Sequence, residues 1–152
     1  MQRGLPARHR DQRGTALVEV TWLSILLLIP LLYIVLATFE VQRSAFAVNA
    51  AARSAGRAYV MAPDEATALA RAGAAAAVAL DDQHLEVARS FLSVSCDPDP
   101  GNCLAPGSVV NVDIGYPVAL PLMPSALGGN TPRIQVDATH RVPYGTFRED
   151  RP

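Results

Sequence analysis

From Val20 to Phe39 the chain carries no charged residue. At about 1.5 Å of rise per residue, a helix over this run spans the roughly 30 Å hydrocarbon core of a bilayer. Arg3, Arg8, Arg10 and Arg13 precede it with only Asp11 opposing them. Basic flanks stay on the cytoplasmic side, so the pattern predicts a single-pass membrane helix with the long C-terminal part outside. The run is longer than the core of a secretory signal and has no small-x-small site at its end. The nearest such triplet, Ala45-Phe46-Ala47, follows Glu40 and Arg43, so an uncleaved or differently cleaved anchor fits better than a removable signal.

One residue resists this simple picture. Glu19 sits where the basic leader meets the apolar run, and a lone ionised carboxylate in hydrocarbon costs a few kcal/mol (about 3 on insertion scales). Such a residue has a partner or snorkels to the interface, where the start of a helix also favours an acid.

Beyond Phe39 the helical pattern continues in water. Val41, Val48, Ala52, Ala55 and Tyr59 form one stripe, and Glu40, Arg43, Asn49, Arg53 and Arg57 take the rest of the surface. Pro30 lies inside the span, where it removes a backbone donor and predicts a kink or locally loosened bonding. Met61-Ala62-Pro63-Asp64-Glu65 ends this stalk and opens a second Ala-rich helix over about Asp64 to Leu80. From His84 the period changes to two. Val110, Val112, Ile114 and Tyr116 alternate with polar residues or glycine, as do Ile134, Val136, Ala138, His140 and Val142 with Gln135, Asp137, Thr139 and Arg141. An earlier strand within Leu85 to Cys96 changes parity, which implies a bulge near Ser90 or two separate pieces.

The expected fold is therefore α+β: a long N-terminal transmembrane helix continuing into a stalk, a second helix, and a small antiparallel sheet with one disulfide. The expected segments are a basic leader over 1–14, the membrane helix and stalk over 15–62, the second helix and linker over 63–83, a strand domain over 84–147 and a frayed tail over 148–152. Pro117 to Pro132 reads as an apolar loop interrupted by prolines. Its Leu120, Leu122, Met123 and Leu127 either fold back over the sheet or stay exposed as a docking surface.

The two cysteines, Cys96 and Cys103, bracket a Pro- and Gly-containing turn in a segment placed in an oxidising compartment, where a disulfide persists. Free thiols or half of a metal site are the alternatives, but there is no second cysteine pair and no histidine cluster nearby. Asp97, Asp99 and Asn102 have the oxygen-rich start of a calcium loop, yet Ser108 stands where the closing glutamate belongs, so turn formation explains them better. His9, His84 and His140 are scattered, and none lies near a recognisable nucleophile motif. Neither an enzymatic role, a cofactor, a metal nor a small-molecule substrate is expected. Net charge is -1, every basic residue is an arginine scattered among acids, and no basic stripe forms, which argues against nucleic acid as a partner.

Gly14 ends the basic leader, Thr15 follows, and Glu19 stands fifth counting from Thr15, ahead of the apolar helix. In this the chain resembles type IV prepilin-like proteins, specifically the TadE-like minor pilins or pseudopilins of tight-adherence (Flp-type) pilus systems. The resemblance extends through the Ala- and Arg-rich stalk Asn49 to Tyr59, a second helix, a cysteine-bracketed turn and Pro106-Gly107-Ser108-Val109 before a Val-rich strand, covering most of Gly14 to Val142. Where related pilins often place an aromatic after the glutamate, this chain has Val20, with Trp22 nearby.

The resemblance implies cleavage after Gly14 by a membrane prepilin peptidase, which would leave Thr15 as a new N-terminus. It also implies a place in the bacterial cytoplasmic membrane, at the cell surface or in a pilus, with other pilin or pilus-assembly subunits as partners. A freed ammonium at Thr15 could pair with the Glu19 carboxylate of a neighbouring subunit, so that two groups costly in lipid offset one another. The rival expectation is a permanently membrane-anchored extracytoplasmic adaptor, in which Glu19 has no assembly role.

Overall fold

The computed structural model describes residues 13–120 and 132–151. Helix α1 (Arg13–Val60) is one helix running through Pro30, and α2 (Glu65–Asp81) follows. A single 3-10 turn at Val87–Arg89 precedes three antiparallel strands, β1 (Phe91–Asp97), β2 (Val109–Ala119) and β3 (Arg133–Pro143), in the spatial order β1-β2-β3. The chain divides into two units, Met1–Leu36 and Ala37–Pro152.

In the first unit, the described part of α1 is mostly apolar and exposed, with Leu17, Trp22, Leu28 and Leu32 all open and Tyr33 half-buried. It belongs to a helix long and apolar enough to cross a membrane, and none of its most apolar window is buried inside the protein. Two of its hydroxyls are bonded within the helix, Thr21 Oγ1 donating to the Leu17 carbonyl at 2.8 Å and Ser24 Oγ to Val20 at 2.7 Å, while the buried Tyr33 hydroxyl has no hydrogen-bond partner among the described residues. Where the helix bonds its own polar side chains, it presents little but hydrocarbon to its surroundings.

The second unit is a two-layer α+β domain. On α1, Ser44, Ala47, Val48, Ala51, Ala52, Ala55 and Tyr59 are buried along the stripe expected from the sequence. On α2 the buried positions are Ala68, Ala72, Ala76 and Leu80, each four residues from the last. Alanines bury little area each but let backbones approach, so the bulk of the core comes from the sheet side, in Leu104, Val110, Val112, Ile114 and Tyr144. Helix α1 comes close to the sheet at Gly56, where a Cβ would lie 2.6 Å from Val142 Cγ2 and 3.3 Å from His140 Cδ2. A side chain there would force either these strand side chains or the helix to shift. Gly73 places α2 against Leu92 of β1.

The other face of the sheet is polar, as one-sided antiparallel sheets usually are. Ser93, Ser95, Asp137, Thr139 and Arg141 are exposed on it, and Thr139 Oγ1 donates across the strands to Asp113. Phe91 lies over Gly115, its ring occupying the space a side chain would need.

The structure decides one sequence alternative and revises two expectations. Of the two readings of Leu85 to Cys96, it takes the two separate pieces: Leu85 is buried after α2, the 3-10 turn follows, and only Phe91–Asp97 pairs. The loop expected from Pro117 begins later, because β2 continues through Pro117 to Ala119. Pairing with β1 stops at Phe91↔Gly115, so Pro117 lies where β2 is bonded only to β3 and its missing N–H costs no ladder bond on the open side. Finally, the tail over 148–151 is tied down, by contacts described below.

Candidate functional site

Gly14 and Thr15 lie in the first turn of α1, and Glu19 is exposed one turn further on. It is the only acid on α1 before Glu40. Among the described residues, no hydrogen bond or ion pair reaches its carboxylate, whereas Glu40 is paired with Arg43 at 2.6 Å. The structure therefore sets Glu19 on the surface of an exposed apolar helix without an intramolecular counter-charge among the described residues. Leu17, Val18, Thr21, Trp22 and Ile25 surround a shallow apolar recess on the same turns.

The second constellation lies in the other unit, where α1 hands over to α2. The Cys96–Cys103 disulfide is formed, with the two Cα atoms 5.3 Å apart. The turn between them is built by its own polar groups: Asp99 Oδ1 accepts from Gly101 N at 2.9 Å, and the Asp97–Pro98 peptide is cis. Asn102 Nδ2 donates to Asp150 at 2.9 Å. Asp99 thus serves the turn, and among the described residues no three His, Cys, Asp or Glu side chains gather to hold a metal ion.

Glu65 joins the disulfide loop to the helices. It occupies the first turn of α2, next to the N-cap Asp64, whose carboxylate accepts from Thr67 N at 2.8 Å. Glu65 Oε1 accepts from Cys103 N at 3.1 Å and faces the Tyr59 hydroxyl at 3.5 Å. Burial, and then the nearby Glu65 charge, push the Tyr59 phenol above its ordinary pKa. The sequence marks Glu65 as a dipole-favoured acid, which hides this longer reach.

The tail closes the junction from the opposite side. Arg148 Nη1 donates to the Val60 carbonyl at 2.7 Å and Arg151 Nη1 to Ala62 at 2.9 Å, supplying donors to carbonyls at and just beyond the end of α1. Arg151 N also donates to Leu104 O at 3.3 Å, and the Arg148 guanidinium lies 5.2 Å from the Tyr144 ring centroid. No local pattern in Thr146 to Asp150 announces these roles, because their partners are nearly ninety residues away.

Of the suggested docking residues, Leu120 is half-buried at the mouth of the β2–β3 connection, its N–H donating to Pro132 O at 3.1 Å. Leu122, Met123 and Leu127 lie outside the described residues. Chemically, these arrangements position, anchor and cap. No protein-family model, curated protein or solved structure matches this chain.

Proposed function

We propose that this chain is a TadE-like minor pilin or pseudopilin that acts without catalysis in assembling a tight-adherence pilus or a related secretion apparatus. The observation that carries the reading is Glu19. It is the only acid of α1 before Glu40, on the exposed apolar part of that helix, it has no counter-charge among the described residues, and it stands five positions after Gly14 at the end of an arginine-rich leader. A carboxylate kept at that depth gains from a cation that arrives with another subunit. In this reading α1 spans the cytoplasmic membrane and the unit Ala37–Pro152 lies outside. A prepilin peptidase cuts after Gly14, and the ammonium of Thr15 on one subunit meets Glu19 on the next.

The test is the mature N-terminus, determined by mass spectrometry in cells with and without their prepilin peptidase. A peptide beginning at Thr15 only when the peptidase is present is the expected result. Glu19→Gln should then leave processing and membrane insertion intact while lowering pilus assembly at least tenfold. A leader retained in both strains would reject the pilin route and favour a permanently anchored envelope adaptor.

A further inference from the structure

On the apolar part of α1, three positions carry a polar group that the helix leaves without its usual partner. Glu19 has no counter-charge among the described residues. Pro30 lies inside the helix and has no N–H, so the Leu26 carbonyl loses the donor that residue 30 would supply. The Tyr33 hydroxyl is covered yet has no hydrogen-bond partner among the described residues. From Glu19 to Leu26 and from Leu26 to Tyr33 the step is seven residues. Such a step falls only about 20° short of two full turns, so the three positions share one side of the helix. Thr21 and Ser24, whose hydroxyls bond inside the helix, lie on the opposite side.

Two of these groups also share a level. A helix carbonyl points at the N–H four residues on, so the freed Leu26 oxygen lies at the turn of Pro30. Long side chains lean back over the turn before their own Cα, which directs the Tyr33 phenol over Ile29 and Pro30. One group is an acceptor short of a donor, and the other is a donor short of an acceptor. A phenol covered without a partner gains by turning towards one. Leu26 and Ile29 are open, 60% and 63% exposed, which leaves room for a second helix along this side. In hydrocarbon no water answers either group, and neighbouring helices supply the bonds that a proline removes.

We infer that the side of α1 marked by Leu26, Pro30 and Tyr33 is a contact surface between the spans of two copies of this chain, packed parallel and in register, with the Tyr33 hydroxyl of each copy donating to the Leu26 carbonyl of the other. A second copy is the occupant because the surface offers both halves of the bond at one level, so the same helix placed alongside completes it twice. The inference rests on the reading of α1 as a membrane span. It goes beyond the pairing at Glu19, since this contact needs neither cleavage after Gly14 nor an ammonium at Thr15.

The chain contains no lysine, so an amine-reactive dye marks its amino terminus alone. The test places full, uncleaved chain, part labelled with a donor dye and part with an acceptor, in phosphatidylcholine vesicles and follows energy transfer as added lipid dilutes it. Tyr33→Phe removes the hydroxyl, and Pro30→Ala restores the N–H that engages the Leu26 carbonyl. Each should raise the dissociation constant about five- to tenfold, the loss expected of two interhelical hydrogen bonds in a membrane. The double variant should be no weaker than either single one, and Thr21→Val, on the opposite side, should match the wild type. Losses that add, or a Tyr33→Phe chain that associates like the wild type, overturn the inference. Wild-type chain that shows no transfer at any dilution overturns it in favour of lipid or another protein on this side. A chain that alkaline carbonate washes from the vesicles rejects the span reading itself. Retention of the leader in cells, which would reject the pilin route, leaves the result standing, because the chain measured is uncleaved.

Discussion

At the residue scale, the unit Ala37–Pro152 depends on a few side chains that reach far along the sequence. Glu65 is the clearest, since one carboxylate oxygen holds the Cys103 amide and faces the Tyr59 phenol. The elevated pKa of Tyr59 has a defined consequence for stability. A phenol that keeps its proton more tightly when folded than when unfolded contributes stability that is complete below the unfolded pKa of about 10 and is lost as pH rises through the higher folded value. The urea midpoint of the wild-type chain should therefore fall above about pH 10 more steeply than that of Tyr59→Phe. Identical alkaline slopes in the two proteins would show that Tyr59 ionises freely in the folded state.

At the element scale, the termination of α2 shows how local chemistry and tertiary demand interact. His84 N donates to Asp81 O at 2.8 Å and Leu85 N to Leu80 O at 3.0 Å, a Schellman closure with Leu80 and Leu85 both buried. The position that turns left-handed is His84, at φ 57°. Glycine is the usual residue there, and a side chain costs about 1 kcal/mol. His84→Gly should raise the urea midpoint modestly, by up to about 1 kcal/mol after the added freedom of the unfolded chain is counted, and His84→Val should lower it. Much of this architecture is legible beforehand. The stalk stripe, the second helix and the inward parities of the second and third strands follow from periodicity, because one-sided burial imposes it. The start of β1 and the end of β2 do not, since the first depends on where Leu85 is buried and the second on which neighbour Pro117 lacks. The carboxylate of Glu65 and the guanidinium groups of Arg148 and Arg151 were equally hidden, because their partners are backbone groups that carry no signature of their own. Glu19, by contrast, stands out in the sequence because its surroundings are uniformly apolar.

At the scale of the whole molecule, the disulfide, the α1–α2 junction and the tail act on one region. The loop between Cys96 and Cys103 is short, so in the chain-entropy picture the bond contributes about 2–3 kcal/mol, and reduction also loosens the Cys103 amide held by Glu65. Replacing both cysteines by serine should lower the unfolding free energy of the unit Ala37–Pro152 by about that amount and speed its proteolysis. The share of protein recovered in the membrane fraction should stay the same, because most of the apolar part of α1 lies outside that unit. Proteolysis at an unchanged rate would remove the disulfide from the forces that hold the domain.

The tail imposes an order on biosynthesis. The guanidinium groups of Arg148 and Arg151 are made 88 and 89 residues after the Val60 and Ala62 carbonyls that they cap. While the ribosome is still adding β3, the end of the stalk has no donor from this source. The junction therefore closes only after β3 and the segment behind it have been made, and until then the alanine-rich surface at the end of the stalk lacks this cap.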